Sequence, residues 1–551
     1  MSQSSHPGAL SRRTLLKGAA AVGLAAPAAR FGALDPAAAA ARFQIAAGTL
    51  VIGLDGSPSD RDPHSQYDYR STLVIRGVYE GLLGLKGAST DEYEPLIAES
   101  WEPNDDKSLW TFHIRPDVKF HNGDPCDAEA VRASYERLLT MGKGAVGVIS
   151  RFVTDPAMMS VSDPQTLVFD LGRPQPLFEA ALAATYGPQI VNVKVAMEHE
   201  EDGDFGNAWL QLNSEGAGTG PFVVTEFDPA TGIVMERNPD YWAGWEGDHL
   251  DRVIVRVIEE PQTMRQLVEA GEVDIMDRFS VQWEALDTLA ANPNLVVDSQ
   301  TGTEVEYFTM TVGGLLESPT ARQALCYAFP YQETIDGVFR GYAGRANSLI
   351  ASVVRGYAPD GFFFQTDLDK AKALREEAGI PEGTQMTLMM GGGADSTPAE
   401  LYQANLAQIG ITLNIEKVEQ STYTGIFYGD APAEERPELM RWSWWPDYND
   451  AWNVLFPTTS CESWGSKGSN GGLYCNEEFD DLLAIAKDAP DDATYNDAVT
   501  KAQAIITEPD PPVVCTAAPK WPTVLNKRVQ GFVFNPINMG TYDFHKLWKT
   551  E

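Results

Sequence analysis

Two hydrophobic periods alternate along almost the whole chain, and that alternation limits the folds open to it. Residues 110–115, 166–170, 222–227 and 253–258 carry apolar and β-branched side chains in strand-like runs. Helix-period segments lie between such runs. Asp127 stands as an N-cap before a helix through Leu139, with Val131, Tyr135, Leu138 and Leu139 on one face. Further helices are expected over 369–378, stopped by Gly379 and Pro381, and over about 398–409, stopped by Gly410. Two more are expected near 477–487 and 493–507. Short strands interspersed with helices specify α/β lobes rather than an all-α or all-β protein. A chain of 551 residues has material for about two to four domains. No long Pro- or Ser-rich linker divides it, so short crossovers are expected to join the lobes.

The first 41 residues read as an address rather than as fold. Ser11-Arg12-Arg13-Thr14-Leu15-Leu16-Lys17 precedes an uncharged, Ala/Gly/Leu-rich run over 18–29, too short to span a bilayer as a helix. A basic region, a short apolar region and the alanines at 37–41 make a signal peptide. The paired arginines resemble the twin-arginine export motif. No lipoprotein cysteine follows, so a soluble periplasmic protein, exported through the twin-arginine translocase, is expected. The chain holds 41 Lys and Arg against 78 Asp and Glu, a net charge of −37. Phosphate backbones and anionic membrane surfaces both need the opposite sign, so nucleic acid is excluded as a partner. Cleavage would remove Arg12, Arg13, Lys17 and Arg30 against Asp35, and so sharpen the acidity.

The search for catalytic chemistry finds little. HExxH, GxxxxGK(S/T) and GxSxG are absent. Beyond the signal the histidines are His64, His113, His121, His199, His249 and His545, and no two have helical metal-pair spacing. No metal and no cofactor is expected. Gly391-Gly392-Gly393 follows an apparent strand at 386–390, but no lysine follows to neutralise a phosphate, so a tight turn is the favoured reading. Asp202-Gly203-Asp204-Phe205-Gly206 lacks every other kinase element. Cys461 and Cys475 bracket a Gly/Ser-rich stretch; a crosslink there would restrict the unfolded chain by about 3 kcal/mol. Cys126, Cys326 and Cys515 read as buried free thiols.

Several blocks are more specific. Asp62-Pro63-His64 is followed by Val78-Tyr79-Glu80-Gly81-Leu82. Then come the block at 95–102, the long block at 110–123, and the helix block at 127–137. Gly218-Thr219-Gly220-Pro221-Phe222, the block at 236–242 and Gly271-Glu272-Val273-Asp274-Ile275 complete the series. Locally, 118–124 reads as a strand running into an Asn-Gly turn, and Pro221 as the fixed-φ start of a strand. Together, in this order, the blocks resemble the periplasmic solute-binding proteins of ABC importers, in the dipeptide/oligopeptide/nickel family. The likeness covers nearly all of the chain beyond the signal.

The resemblance implies an α/β, two-lobed periplasmic-binding-protein fold (type II, cluster C-like) with an additional domain beside lobe I. Lobe I would comprise 42–87, 219–310 and 523–551, the additional domain 88–218, and lobe II 311–522. It also implies a monomer that captures a peptide or similar small solute between the lobes and presents it to the transmembrane subunits of an ABC permease. One ligand segment would hold Tyr67, Asp68 and Tyr69. The other is Arg441-Trp442-Ser443-Trp444-Trp445-Pro446-Asp447-Tyr448-Asn449-Asp450, with Ser443, Trp444, Trp445 and Asp447 at the ligand. Asp447 matches the family aspartate that pairs with a peptide's α-ammonium group. Trp442, Trp444, Trp445, Tyr448 and Trp452 would also serve as core residues; two of the tryptophans are expected at the ligand and the rest in the core. Cys461 and Cys475 match a disulfide of dipeptide-binding relatives.

The chain departs from dipeptide binders by lacking an arginine before the helix near 398, where theirs clamps the ligand's carboxylate. Asp450-Ala451 also stands where the family often has Asp-Pro, a change expected to touch only local backbone stiffness. An oligosaccharide or an opine-like conjugate would suit the same receptor fold; a nickel complex suits the sparse histidines less. A secreted hydrolase would need a nucleophile–base pair that the sequence does not display.

Overall fold

The computed structural model describes residues 48–550, so the signal expected at 1–41 lies outside the described residues. One twelve-stranded sheet runs through both lobes. The element they share is Val513–Asn526, long enough at about 3.3 Å per residue to serve two lobes. Its first half pairs antiparallel with Val305–Met310, with Val513 opposite Thr309. Its second half pairs antiparallel with Leu295–Thr301, with Asn526 opposite Leu295 and Lys520 opposite Thr301. Between these pairings the chain passes from one half of the sheet to the other.

In lobe I, Thr49–Leu54 is flanked in parallel by Arg252–Val257 and Ile275–Met276. Every residue of Thr49–Leu54 is buried, which explains its near-continuous apolar reading. Gly232–Arg237 and Phe222–Asp228 extend the sheet antiparallel to its edge, and Pro221 immediately precedes the last of these. In lobe II, Thr384–Gly391 and Ile411–Val418 pair in parallel from end to end. Helix Thr397–Gln408 makes the crossover between them. Leu439–Trp444 lies between Thr384–Gly391 and Val305–Met310.

The additional domain is a four-stranded antiparallel sheet of Ala98–Pro103, Leu109–Ile114, Thr166–Asp170 and Met159–Asp163. Trp110, Phe112 and Ile114 alternate onto its buried face. Helix Ala128–Met141 packs there, with Tyr135 edge-on to Phe169 at 5.7 Å between ring centres. Asp127 caps this helix by accepting the Ala130 N–H at 2.9 Å. Leu139 is only partly buried, at the rim of the face formed by Val131, Tyr135 and Leu138. The helices expected at 369–378, 398–409 and 493–507 are Leu368–Glu377, Thr397–Gln408 and Asp492–Ile505, and Glu477–Lys487 falls as expected.

The segment 118–124 corrects one expectation. It forms no strand, only a single bridge between Lys119 and Pro125. Its polar groups are taken elsewhere: the His121 N–H donates to Gly218 O at 2.8 Å, and the Phe120 N–H to Asp124 O at 2.9 Å. Phe120 and His121 therefore have no N–H left for a neighbouring strand.

The Asp62-Pro63-His64 block fastens lobe I to the additional domain. Asp62 and Arg137, both fully buried, form a bidentate pair at 3.0 and 2.6 Å. His64 Nδ1 accepts from Arg137 at 2.9 Å, so its proton sits on Nε2 and is donated to Gln189 O at 3.0 Å.

Cys461 and Cys475 are disulfide-bonded, with Cα atoms 4.4 Å apart. The intervening loop is less loose than its Gly/Ser content indicates. Buried Asn470 donates to Ser460 O at 2.9 Å and Tyr474 O at 2.7 Å, and accepts the Tyr474 N–H at 3.1 Å. Reduction is expected to lower stability by about 3 kcal/mol in the chain-entropy account. Urea unfolding with and without reductant measures this, and mass spectrometry of the unreduced protein checks the link. Cys126 and Cys326 are buried free thiols, while Cys515 is half-buried. Among the described residues no helix is long and apolar enough to cross a membrane.

Candidate functional site

The site forms where Leu439–Trp444 runs out between the lobes. Register with Val305–Met310 sets Trp444 opposite Val305, Ser443 opposite Glu306 and Trp442 opposite Tyr307. Trp442 and Trp444 therefore share one face, and Ser443 points to the other. The strand stops at Trp444, so Trp445 escapes the alternation. Asp447 is then fixed by Asn453: its N–H donates to Asn453 Oδ1 at 2.6 Å, and Asn453 Nδ2 donates to Asp447 Oδ2 at 3.3 Å.

The opposing wall is the start of helix Tyr69–Val78. Asp68 is its N-cap, with Oδ1 accepting the Ser71 N–H at 2.9 Å, and this cap positions the tyrosines on either side. Tyr67 donates its hydroxyl to Asp447 Oδ1 at 2.8 Å, across the cleft. Tyr69 donates to Asp55 and lies against Phe279, 4.2 Å between ring centres.

A cavity of about 420 Å³ separates the walls. Tyr67, Asp68, Tyr69, Ser443, Trp444, Trp445 and Asp447 all line it, as does Trp442. Three tryptophans thus border the cavity where two were expected. Trp452 does not: it stacks on Phe456 at 4.4 Å within lobe II. Tyr448 is buried in the core of the additional domain. Sequence reasoning missed Tyr186, Gln420, Thr424 and Tyr428. Tyr186 comes from a loop, while Gln420, Thr424 and Tyr428 come from the helix Gln420–Phe427 and its C-cap, and nothing local in the sequence marks them.

Asp447 is only 6 % exposed, and burial pushes its carboxyl up to about 6 against the hydrogen bonds from Tyr67 and Asn453 that favour the charged form. Its partners among the described residues are neutral donors, not a cation. The indole N–H groups of Trp442 and Trp444 are likewise buried without an acceptor. Buried polar groups in this state call for a partner that the described residues do not supply.

Ser443 also borders a second chamber, of about 700 Å³. Its wall includes Arg278, Glu304, Glu306 and Arg441, with Gly393, Ala394, Asp395, Thr397 and Pro398 along one side. The triple glycine is a turn, closed by the Ala394 N–H donating to Gly391 O at 3.0 Å. The lobes are in contact beyond the cavities as well. Arg151 of the additional domain bonds the Tyr448 hydroxyl and lies over the Trp452 ring at 3.3 Å. Asn449 Nδ2 donates to Thr90 O at 3.3 Å, and Arg173 pairs with Asp488.

Lobes that share one long strand and close on an aromatic cavity holding a buried carboxylate with only neutral partners have the build of a solute receptor. Comparison with known proteins agrees. The family model for bacterial extracellular solute-binding proteins, family 5 (middle), matches residues 92–466, and the chain belongs to this family. It is 28 % identical over 511 residues to the probable D,D-dipeptide-binding periplasmic protein DdpA of Escherichia coli, covering 91 % of this chain and 94 % of that one. Di/tripeptide-binding protein 3 of Pseudomonas aeruginosa is 28 % identical over 533 residues, covering 91 % and 95 %. Among solved structures, the periplasmic binding protein DppA of Helicobacter pylori, in complex with the peptide STSA, superposes with a TM-score of 0.81 at 26 % identity. That match covers 92 % of this chain and 98 % of the other.

Proposed function

We propose that the chain is the receptor of an ABC importer, binding a short peptide between its lobes without chemical turnover and delivering it to the permease. The observation that carries this reading is Asp447. A desolvated carboxylate with only neutral donors, facing an aromatic-walled cavity, is a partner for an ammonium group. Relatives named for dipeptides and tripeptides, and one solved with a peptide, support the ligand class. The tryptophan walls would stack on sugar rings as well, but an oligosaccharide leaves the carboxylate unanswered. In this reading Tyr67, Asp68, Tyr69, Ser443, Trp444 and Trp445 contact the ligand. Lobe I comprises 42–87, 219–310 and 523–551, the additional domain 88–218 and lobe II 311–522 in this reading. Twin-arginine export to the periplasm and a monomeric state complete the proposal.

Native mass spectrometry of the protein as purified, followed by identification of what it carries, tests the ligand class. An intact peptide supports it, and a sugar or a cleaved product overturns it. Affinity should also depend on pH. Asp447 must be ionised to pair with an ammonium, and its free value is about 6. A peptide α-amine loses its proton near 8. Calorimetry should therefore show the tightest binding near pH 7, with about tenfold loss per unit below the Asp447 value and a second fall above about 8. Asp447→Asn should abolish the acidic limb alone.

A further inference from the structure

The lack of an arginine near 398 leaves a peptide's carboxylate without its usual partner. The second chamber holds another candidate, on the opposite lobe. Arg278 opens the turn Arg278–Ser280, which Asp277 caps by accepting the Ser280 N–H at 2.9 Å. Its side chain is 9 % exposed. The guanidinium lies over Trp283 at 4.4 Å and near Phe279 at 5.4 Å, so its plane is held by aromatic faces. Yet the fork makes no side-chain hydrogen bond, only two long ion pairs. Nη2 comes no closer than 3.6 Å to Glu304 and Glu306, beyond hydrogen-bond range, and Nε is buried with no partner. Arg441 differs, donating to Glu306 at 2.7 Å.

We propose that Arg278 receives the C-terminal carboxylate of the bound peptide, so that the ligand's two charged ends are held by opposite lobes. The proposal rests on the peptide reading above. A planar fork with free donors matches a carboxylate in geometry and sign. Ser443, four residues before Asp447, lines both cavities. Glu304 is the group that must give way. Burial raises its carboxyl against the pull of Arg278, and its Oε2 has no hydrogen-bond partner. Protonation of Glu304 balances the incoming charge, while Glu306 stays with Arg441. The other charged groups on this wall are Glu284, Arg340 and Asp395.

The test is calorimetry on the full protein with oligoalanines of two to six residues and mixed-sequence libraries of the same lengths. Each is supplied as the free acid and as the C-terminal amide. At the best length the acid should bind at least tenfold tighter than the amide. Arg278→Gln should bring the acid down to the amide's affinity, and Arg278→Lys should restore part of the gap. Asp447→Asn should weaken acid and amide alike. Tight binding with equal affinities for acid and amide overturns the Arg278 assignment alone, as does a gap that survives in both Arg278 variants. Failure of every peptide to bind overturns the peptide reading and this assignment with it.

Discussion

Asp447→Ala is expected to weaken binding of an amine-bearing peptide by roughly 2–5 kcal/mol, the range for removing one member of a buried charged pair. In affinity that is about thirtyfold to several thousandfold. The size follows from the setting. Asp447 is almost wholly removed from water, and its fixed partners Tyr67 and Asn453 offer hydrogen bonds but no charge. An ammonium carried into this cavity would lose its hydration, and Asp447 is the buried carboxylate there to replace it. Titration of variant and parent with the same peptide measures the change, and equal affinities would remove Asp447 from the site. Tyr67→Phe serves as the graded control. It deletes one hydrogen bond to a charged group and should cost about 1.5–3 kcal/mol.

Asp62→Ala should have the largest effect on stability, about 3–5 kcal/mol, because it leaves Arg137 charged and unpaired in the interior. Asn207 would also lose an acceptor, since its amide donates to Asp62 at 2.8 Å. The same cluster predicts loss of stability in acid. Asp62 is desolvated, which alone would raise its pKa, but Arg137 overcomes this and holds it below the ordinary carboxylate value. Its contribution is therefore present above about pH 4 and is lost as pH falls through the folded value. His64 acts in the same direction. Burial first, then Arg137, depress it to about 4. Its neutral form costs nothing above about 6.5, and the unfolded state gains protons preferentially below that. Urea unfolding of Asp62→Ala and the parent at neutral pH measures the difference, and a change below about 1 kcal/mol would show the pair to be dispensable. A parallel series from pH 7 to pH 3 tests the linkage: the variant should keep the fall between about 6.5 and 4 that His64 causes and lose the further fall below about 4 that belongs to Asp62.

Local rules carried the reading of the elements themselves. Asp127 announced its helix because an aspartate before an apolar 3.6-residue period satisfies free N–H groups wherever it occurs. The alternation at 110–115 marked a sheet with one buried face for a similarly local reason. The rule failed at 118–124, where an apparent strand gives its N–H groups to Gly218 and Asp124. No local pattern encodes which distant carbonyl will be in reach. The site divides in the same way. Residues 67–69 and 443–447 were legible through the family blocks. Tyr186, Gln420 and Tyr428 were not, because each is an ordinary residue that becomes part of a wall only when the loop at 186 and the helix Gln420–Phe427 meet the residues at 67–69 and 442–447.

The sequence by itself determined the α/β character, the family, and the one aspartate on which the ligand reading turns, since all three rest on residue order and short-range spacing. The tertiary structure decided what that order could not. It set Tyr67 against Asp447 across the cleft and left the carboxylate without a cation. It brought Arg278, from the other lobe, to a chamber that shares Ser443 with the first. Charges separated by well over a hundred residues acquire meaning only when a shared strand brings two lobes together, and the desolvation that gives them their strength exists only in the folded chain.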